Sequence, residues 1–273
     1  MKATKIIAVL AVALMAAGTV GLTSCKGKDK GKTASTKDAK GKKKGKAKKV
    51  ELPEDAFNVE FTKDESGCII QPKVDAIEEI VVGNDVTYPS TVQGLPVKGI
   101  KLTGRDYNAS SLTIPEGVVW LKTDCDDYEK PSLTKVTLPS TLKVLGPSVF
   151  SGCTNLSECN LPEGLEVISV KAFQQTGLKS VTLPKSLRYY IMDGSGPFSL
   201  CDSLEEINIP EGLKITRVHA GSQEFFSGEK IESSLALQKT IKDKLKVEDL
   251  DLTWDRKPLD DYYDYMEKNY PDF

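Results

Sequence analysis

The stretch LTKVTLPSTLKVLGPSVFSGC, residues 133–153, decides the fold because it recurs. SLTIPEGV precedes it around Pro115, and LSECNLPEGLEVI, LKSVTLPKSLRYY and LEEINIPEGLKIT follow around Pro162, Pro184 and Pro210. Aligned on Pro115, Pro139, Pro162, Pro184 and Pro210, the copies stand 24, 23, 22 and 26 residues apart. A period of this size marks a solenoid, in which each copy forms one turn of a stack. TYPSTVQGLPVKGI, around Pro89, reads as a degenerate leading copy.

Each copy has the same internal order. Leu133, Val136 and Leu138 recur as Leu156, Cys159, Leu161, as Leu178, Val181, Leu183, and as Leu204, Ile207, Ile209. The last two of each set are two residues apart, the period of a strand, so Thr137, Asn160, Thr182 and Asn208 point to the other face. Proline then ends the strand because it cannot donate to a ladder. A two-residue turn and a second apolar pair follow (Leu142 and Leu145, Leu165 and Ile168), and an aromatic closes the copy: Phe150, Phe173, Phe198, Phe226. One such unit cannot bury its apolar face alone, whereas stacked units with strands about 4.8 Å apart share a continuous core.

The pattern LxxVxLPxxLxxIxxxxF, closed by Cys or a small residue, resembles the BspA-like (Treponema-type) leucine-rich repeats of Bacteroidetes and other anaerobes. The resemblance covers residues 86–228. It implies a β-rich repeat solenoid with short helical turns, a role in adhesion or protein binding, and no catalytic residue. Before their closing Phe, the copies at Pro184 and Pro210 depart from the pattern.

Upstream, Lys2 and Lys5 precede an apolar run over residues 6–17, small residues follow, and Cys25 comes next, which is the layout of a secretory signal peptide. Leu22-Thr23-Ser24-Cys25 resembles a bacterial lipobox, which implies that residues 1–24 are removed and Cys25 carries lipid. Several acyl chains anchor stably, since each buried CH2 contributes about 0.8 kcal/mol. An uncleaved membrane helix is the competing reading of this run. Residues 26–49 hold twelve Lys, two Asp and no large apolar residue, so residues 25–50 read as a lipidated, disordered tether. The net charge of −2 conceals an asymmetry: the signal carries +2 and the tether +10, leaving −14 for residues 50–273. An acidic folded part opposes a nucleic-acid role.

Residues 51–88 read as an amino-terminal β cap. Phe57, Val59 and Phe61 alternate with polar residues, Asp64-Glu65-Ser66-Gly67 supplies a turn, and Cys68-Ile69-Ile70 returns as the second arm of a hairpin. Residues 77–82 and 86–88 are expected as further strands. The solenoid occupies residues 89–228. Residues 229–273 read as a partly helical carboxy-terminal cap: Leu237, Ile241 and Leu245 recur at helical spacing, as do Leu259, Tyr262, Tyr263, Met266 and Tyr270.

Signals for catalysis are absent from the sequence. The chain has one histidine, His219, expected in a loop, and no GxSxG or glycine-rich phosphate loop. Without a CxxC pair, no zinc or thioredoxin-like site is expected. Cys153 and Cys201 lie two copies apart, about 10 Å, too far for a disulfide, and Cys159 stands at a core position. Asp124, Asp126, Asp127 and Glu129 cluster without EF-hand spacing. No metal or other cofactor is expected.

Two surfaces are candidates for binding. The interval from Pro to Phe is 11 residues in the second and third copies, 14 from Pro184 to Phe198 and 16 from Pro210 to Phe226. Insertions at one repeat position emerge on one face, often the binding face, where Tyr189, Tyr190, Asp193, Arg217 and His219 would gather. The other surface is the outward strand face, with Lys135, Glu158, Lys179, Glu205 and Glu206 among Thr, Ser and Asn. That face has almost no aromatic side chain for a sugar to stack on, so it suits a protein partner. The sequence thus leads to a non-enzymatic, outer-membrane lipoprotein, monomeric, binding a protein in adhesion or host-matrix contact. The alternatives are a periplasm-facing scaffold or assembly factor and, more remotely, a glycan or peptide hydrolase.

Overall fold

Two apolar segments per copy give two parallel sheets, one on each side of a shared core. The computed structural model describes residues 47–124, 130–192, 196–208, 210, 216–219 and 257–273, with the backbone alone for residues 192, 216–219 and 257–259. The first described element is β1 (Lys49–Glu51), which includes the last residues of the stretch read as tether. The hairpin β2 (Phe57–Phe61) and β3 (Cys68–Pro72) follows, then α1 (Val74–Val81). The first rung consists of β4 (Asp85–Thr87), a short β5 (Thr91–Val92) and β6 (Leu95–Leu102). Later rungs alternate in the same way: β7 (Ser111–Thr113) and β8 (Trp120–Thr123), β9 (Lys135–Thr137) and β10 (Val144–Leu145), β11 (Glu158–Cys159) and β12 (Val167–Ile168). The last are β13 (Ser180–Thr182) and β14 (Tyr189–Met192), then β15 (Glu206–Asn208) and β16 (Thr216–His219). Helix α2 (Lys257–Asn269) comes last.

The first sheet runs β1-β4-β7-β9-β11, and β13-β15 pair separately beyond it. The second runs β16-β14-β12-β10-β8-β6-β3, all parallel, with β2 added antiparallel at its end. The degenerate copy at Pro89 is a true rung, since Val86 stands in register with Leu112 and Leu112 with Val136. Between the sheets, Ile70, Ile100, Leu121, Leu145 and Ile168 form one fully buried inner column. The closing aromatics form another. Phe150 and Phe173 lie 5.4 Å apart and Phe173 and Phe198 5.3 Å apart, centroid to centroid, and the second pair is stacked. This corner is also laddered by backbone, with Phe150 N donating to Ala172 O at 2.8 Å and Phe173 N to Pro197 O at 2.8 Å. Tyr107 stands in the preceding turn, its hydroxyl donating to the Val149 carbonyl.

Residues 77–82 depart from expectation: residues 77–81 belong to α1, not to a strand. Val74, Ile77, Ile80 and Val81 recur at helical spacing, and burying Ile77 and Val81 outweighs the strand preference of β-branched side chains. The Pro-Glu-Gly turns also do more than turn. Glu116 accepts Ser140 N at 3.0 Å and Ser140 Oγ at 2.9 Å in the next rung, and Glu163 accepts Lys185 N at 3.2 Å.

Asp106 is a fully buried carboxylate in the first rung. It accepts Thr103 N at 2.7 Å, Thr103 Oγ1 at 2.9 Å and the Tyr88 hydroxyl. Burial pushes it up to about 6, against the pull of these hydrogen bonds. The folded state therefore holds this proton when the unfolded chain has lost it, and Asp106 should lower stability as pH rises from about 4 to about 6. Two units correspond to about 3 kcal/mol at most. Urea unfolding at pH 4 and pH 7 should show this loss in the parent chain, and Asp106→Asn should remove it. An unchanged pH dependence in the variant would contradict the assignment.

Candidate functional site

The two sheets differ on their outer faces, and this difference locates the site. On the second sheet Ile69, Gly99, Trp120, Val144, Val167 and Tyr189 are in register, an apolar column on the outside. The Trp120 ring lies on Gly99, where an added Cβ would come within 2.2 Å of it. Helix α2 lies across this column. Tyr262 and Met266 bury against Ile69, Trp120, Val144, Val167, Tyr189 and Ile191, joined by Tyr265, Tyr270 and Phe273.

Polar contacts fix the helix at both ends of its path. Glu166 accepts the hydroxyls of Tyr265 and of Tyr270, the latter at 2.8 Å, and pairs with Lys143 at 3.4 Å. Partial burial raises the Glu166 carboxyl, but the two hydroxyls and Lys143 outweigh this and hold it below its ordinary value. The Arg188 guanidinium lies 4.6 Å from the centre of the Tyr265 ring. At the far end Phe273 meets Trp120 edge-on at 5.8 Å, and Asp272 accepts Lys63 N at 2.8 Å beside the β2–β3 turn. The tyrosine stripe expected to form an end cap is therefore a strap over a sheet face. It lies against β16 and continues back to the amino-terminal hairpin.

Four of the five residues expected on the inserted loops can be located, and they are in strands. Tyr189 and Tyr190 belong to β14 and are 8% and 7% exposed. Tyr189 lies under the strap, with ring centres 5.5 Å from Tyr262 and 5.0 Å from Tyr265. Tyr190 points to the opposite face, into the core beside Phe198. Neither is available to a partner, because adjacent residues of a strand face opposite sides and here both sides are covered. Arg217 and His219 are in β16, opposite Tyr190 and Met192, so His219 is not in a loop. Asp193 lies outside the described residues, as do Cys25, Cys125, Asp126, Asp127, Glu129 and the helix expected from Leu237, Ile241 and Leu245.

The first sheet has no such cover among the described residues. Its outer face carries Asp85, Ser111, Lys135 and Glu158 in one register column, with Thr87, Thr113 and Thr137 two residues along each strand. The ladder is interrupted after β11, and β13 and β15 continue it with Ser180 beside Glu206 and Thr182 beside Asn208. Lys135, Glu158, Lys179, Glu205 and Glu206 are all exposed. Lys135 donates to Glu158 at 2.7 Å, and this hydrogen bond and charge hold its ammonium above the ordinary value. Ser111 Oγ donates to Asp85 at 2.7 Å. The carboxyl-terminal charges, Lys179, Glu205 and Glu206, form no ion pair among the described residues and face solvent.

The buried groups here are built for stability. Cys201 contacts the Phe173 carbonyl at 2.9 Å, and burial raises its thiol. Burial pushes the Cys159 thiol up to about 12 and also raises Cys68. These thiols stay protonated near neutral pH, the opposite of what a nucleophilic cysteine requires. Asp124 accepts Gln71 Nε2 at 2.9 Å, and among the described residues no group of three His, Cys, Asp or Glu side chains is placed to hold a metal.

Residues 122–243 match the BspA type leucine rich repeat region in six copies. Similar solved structures include a leucine-rich repeat protein of T. pallidum at 23% identity and TM-score 0.43, covering 69% of this chain and 95% of that one. A leucine-rich repeat protein of Bacteroides ovatus is also 23% identical, with TM-score 0.48, covering 62% of this chain and 43% of that one. A leucine rich cell surface protein of Faecalibacterium prausnitzii is 23% identical, with TM-score 0.47, covering 63% and 45%. This chain thus spans less than half of the latter two. No curated protein matches it. Residues 122–243 are similar to the BspA type leucine rich repeat region, and the fold is a β-rich leucine-rich-repeat solenoid of about five turns.

Proposed function

We propose that this chain is a non-enzymatic envelope protein, lipid-anchored through Cys25, that binds a protein partner on the outer face of the first sheet. The observation that carries the reading is the asymmetry of the two faces: α2 covers one, and among the described residues the other is a bare ladder of Lys, Glu, Thr and Ser. Rigid strands hold these side chains in fixed rows, so binding loses little conformational entropy. The mixed charges of Lys135, Glu158, Lys179, Glu205 and Glu206 give a partner register and steering. Adhesion or host-matrix contact is the use that the lipid anchor and repeat family favour.

A second reading, a periplasm-facing scaffold, is favoured by the basic KGKDK directly after Cys25. Protease treatment of intact cells separates the two. Loss of the domain while a periplasmic control is protected means surface display, and protection until lysis places it inside. For the binding face itself, Lys179→Ala, Glu205→Ala and Glu206→Ala together should weaken partner binding about tenfold or more, roughly 1.4 kcal/mol. The melting temperature should stay unchanged. Unaltered affinity in the triple variant would move the site elsewhere.

A further inference from the structure

Strand β2 ends the second sheet, and its hydrogen-bond parity shows what its free edge offers. Thr62 N donates to Gly67 O at 3.1 Å and Lys73 N to Ala56 O at 2.7 Å, one at each end of the hairpin. With Val59 opposite Ile70, these bonds fix Asn58–Gln71 and Glu60–Ile69 as the hydrogen-bonded pairs. Phe57 faces Pro72, which has no N–H, as a non-bonded pair must. The N–H and C=O groups of Phe57, Val59 and Phe61 therefore point away from β3, and among the described residues β2 pairs with β3 alone.

This edge lacks the usual protections. Edge strands are commonly short, bulged, or interrupted by Lys or Pro. The first sheet's edge strand, β1, is three residues long and starts with Lys49. By contrast β2 is five residues, FNVEF, with no Lys or Pro. Its one charge, Glu60, is held by Lys101 at 2.8 Å on the adjacent surface. Phe61, on the same face of the strand as Phe57 and Val59, is 65% exposed.

The sequence of β2 is complementary to itself. We propose that two copies of this protein associate by pairing β2 with β2, antiparallel, about a two-fold axis through Val59. In that register Val59 meets Val59 and Phe57 meets Phe61, so every outward N–H faces an outward C=O. Asn58 falls opposite Glu60, which avoids the like-charge contact that centring on Glu60 would create. Each exposed Phe61 gains the partner's hairpin as cover, and a symmetric contact closes at two copies rather than growing into a fibre. The sequence alone leads to the expectation of a monomer, and the bonding parity changes it. The proposal is independent of the binding face, because it uses the end of the second sheet.

Sedimentation equilibrium of the full chain in density-matched detergent tests it, with Val59→Pro and Phe61→Glu. The parent should sediment as a dimer. Val59→Pro removes one outward N–H that β3 does not use, and Phe61→Glu places a charge in the contact; both should sediment as monomers. Should Val59→Pro lower the melting temperature, Phe61→Glu, at an exposed position, decides alone. A monomeric parent, or a dimer that persists in Phe61→Glu, overturns the proposal, and association with another protein through this edge would appear as the first of these.

Discussion

Replacing Phe173 by alanine should lower the unfolding free energy by about 3–5 kcal/mol. Phe173 is fully buried and sits between Phe150 and Phe198 at 5.4 and 5.3 Å. In a solenoid each turn touches only its neighbours, so the stack depends on every interface. A cavity at Phe173 weakens two interfaces together, in a corner where the backbone is also hydrogen-bonded from turn to turn. Phe173→Leu keeps most of the volume and should cost roughly 1 kcal/mol. Tyr263→Ala, on the solvent side of α2 at 57% exposure, should stay within about 0.5 kcal/mol of the parent. Urea midpoints measure all three. A loss below about 1 kcal/mol in Phe173→Ala would mean that the aromatic column does not hold the turns together.

The second large effect concerns the strap. Tyr262→Ala with Met266→Ala removes the two side chains that α2 buries in the outer column. Truncations of this kind cost about 2–5 kcal/mol each, and neighbours do not add fully. Because α2 touches the sheet only by one face, the loss should appear as release of the helix rather than as unfolding of the stack. A loss of about 4 kcal/mol corresponds to roughly a thousandfold faster amide exchange across residues 257–273. Trp120, 3% exposed and stacked edge-on with Phe273, should become hydrated, shifting tryptophan emission to the red. Unchanged exchange in the double variant would show that the Glu166 cluster alone holds the helix.

Much of this was legible in the residues. The period, the inward triplets and the closing Phe set the turns and their register, down to Thr113 beside Thr137 and Ser180 beside Glu206. The strap was also encoded, though less openly. In the second strand of each copy the residue before the core position is itself apolar: Val144 before Leu145, Val167 before Ile168, Tyr189 before Tyr190. A strand apolar on both faces is covered on both. The first strand reads Lys-Val-Thr, Ser-Val-Thr and Glu-Ile-Asn, polar on either side of the core residue, which is the mark of a bare face. Read by insertion length alone, Tyr189 and Tyr190 look like loop residues, because the extra length is spent partly in lengthening β14 to four residues. The Asp106 knot had no periodic signal, since it occurs where one turn departs from the others, whereas the Glu116 clasp recurs at Glu163 with the repeated Pro-Glu-Gly turn. The edge of β2 depends on hydrogen-bond parity, which a strand's sequence does not specify.

The chain's own helix covers one sheet face, and under the proposed function the other is where a protein would bind. Photo-crosslinking tests it most directly, with a crosslinking residue placed at Thr137 on the bare face or at Tyr263 on the outside of the strap, in cells that carry the partner. One discrete crosslinked protein is expected from Thr137, reduced by the Lys179, Glu205 and Glu206 substitutions, and none from Tyr263. Crosslinks from Tyr263 with none from Thr137 would contradict it and make the strap, not the open ladder, the surface through which this protein acts.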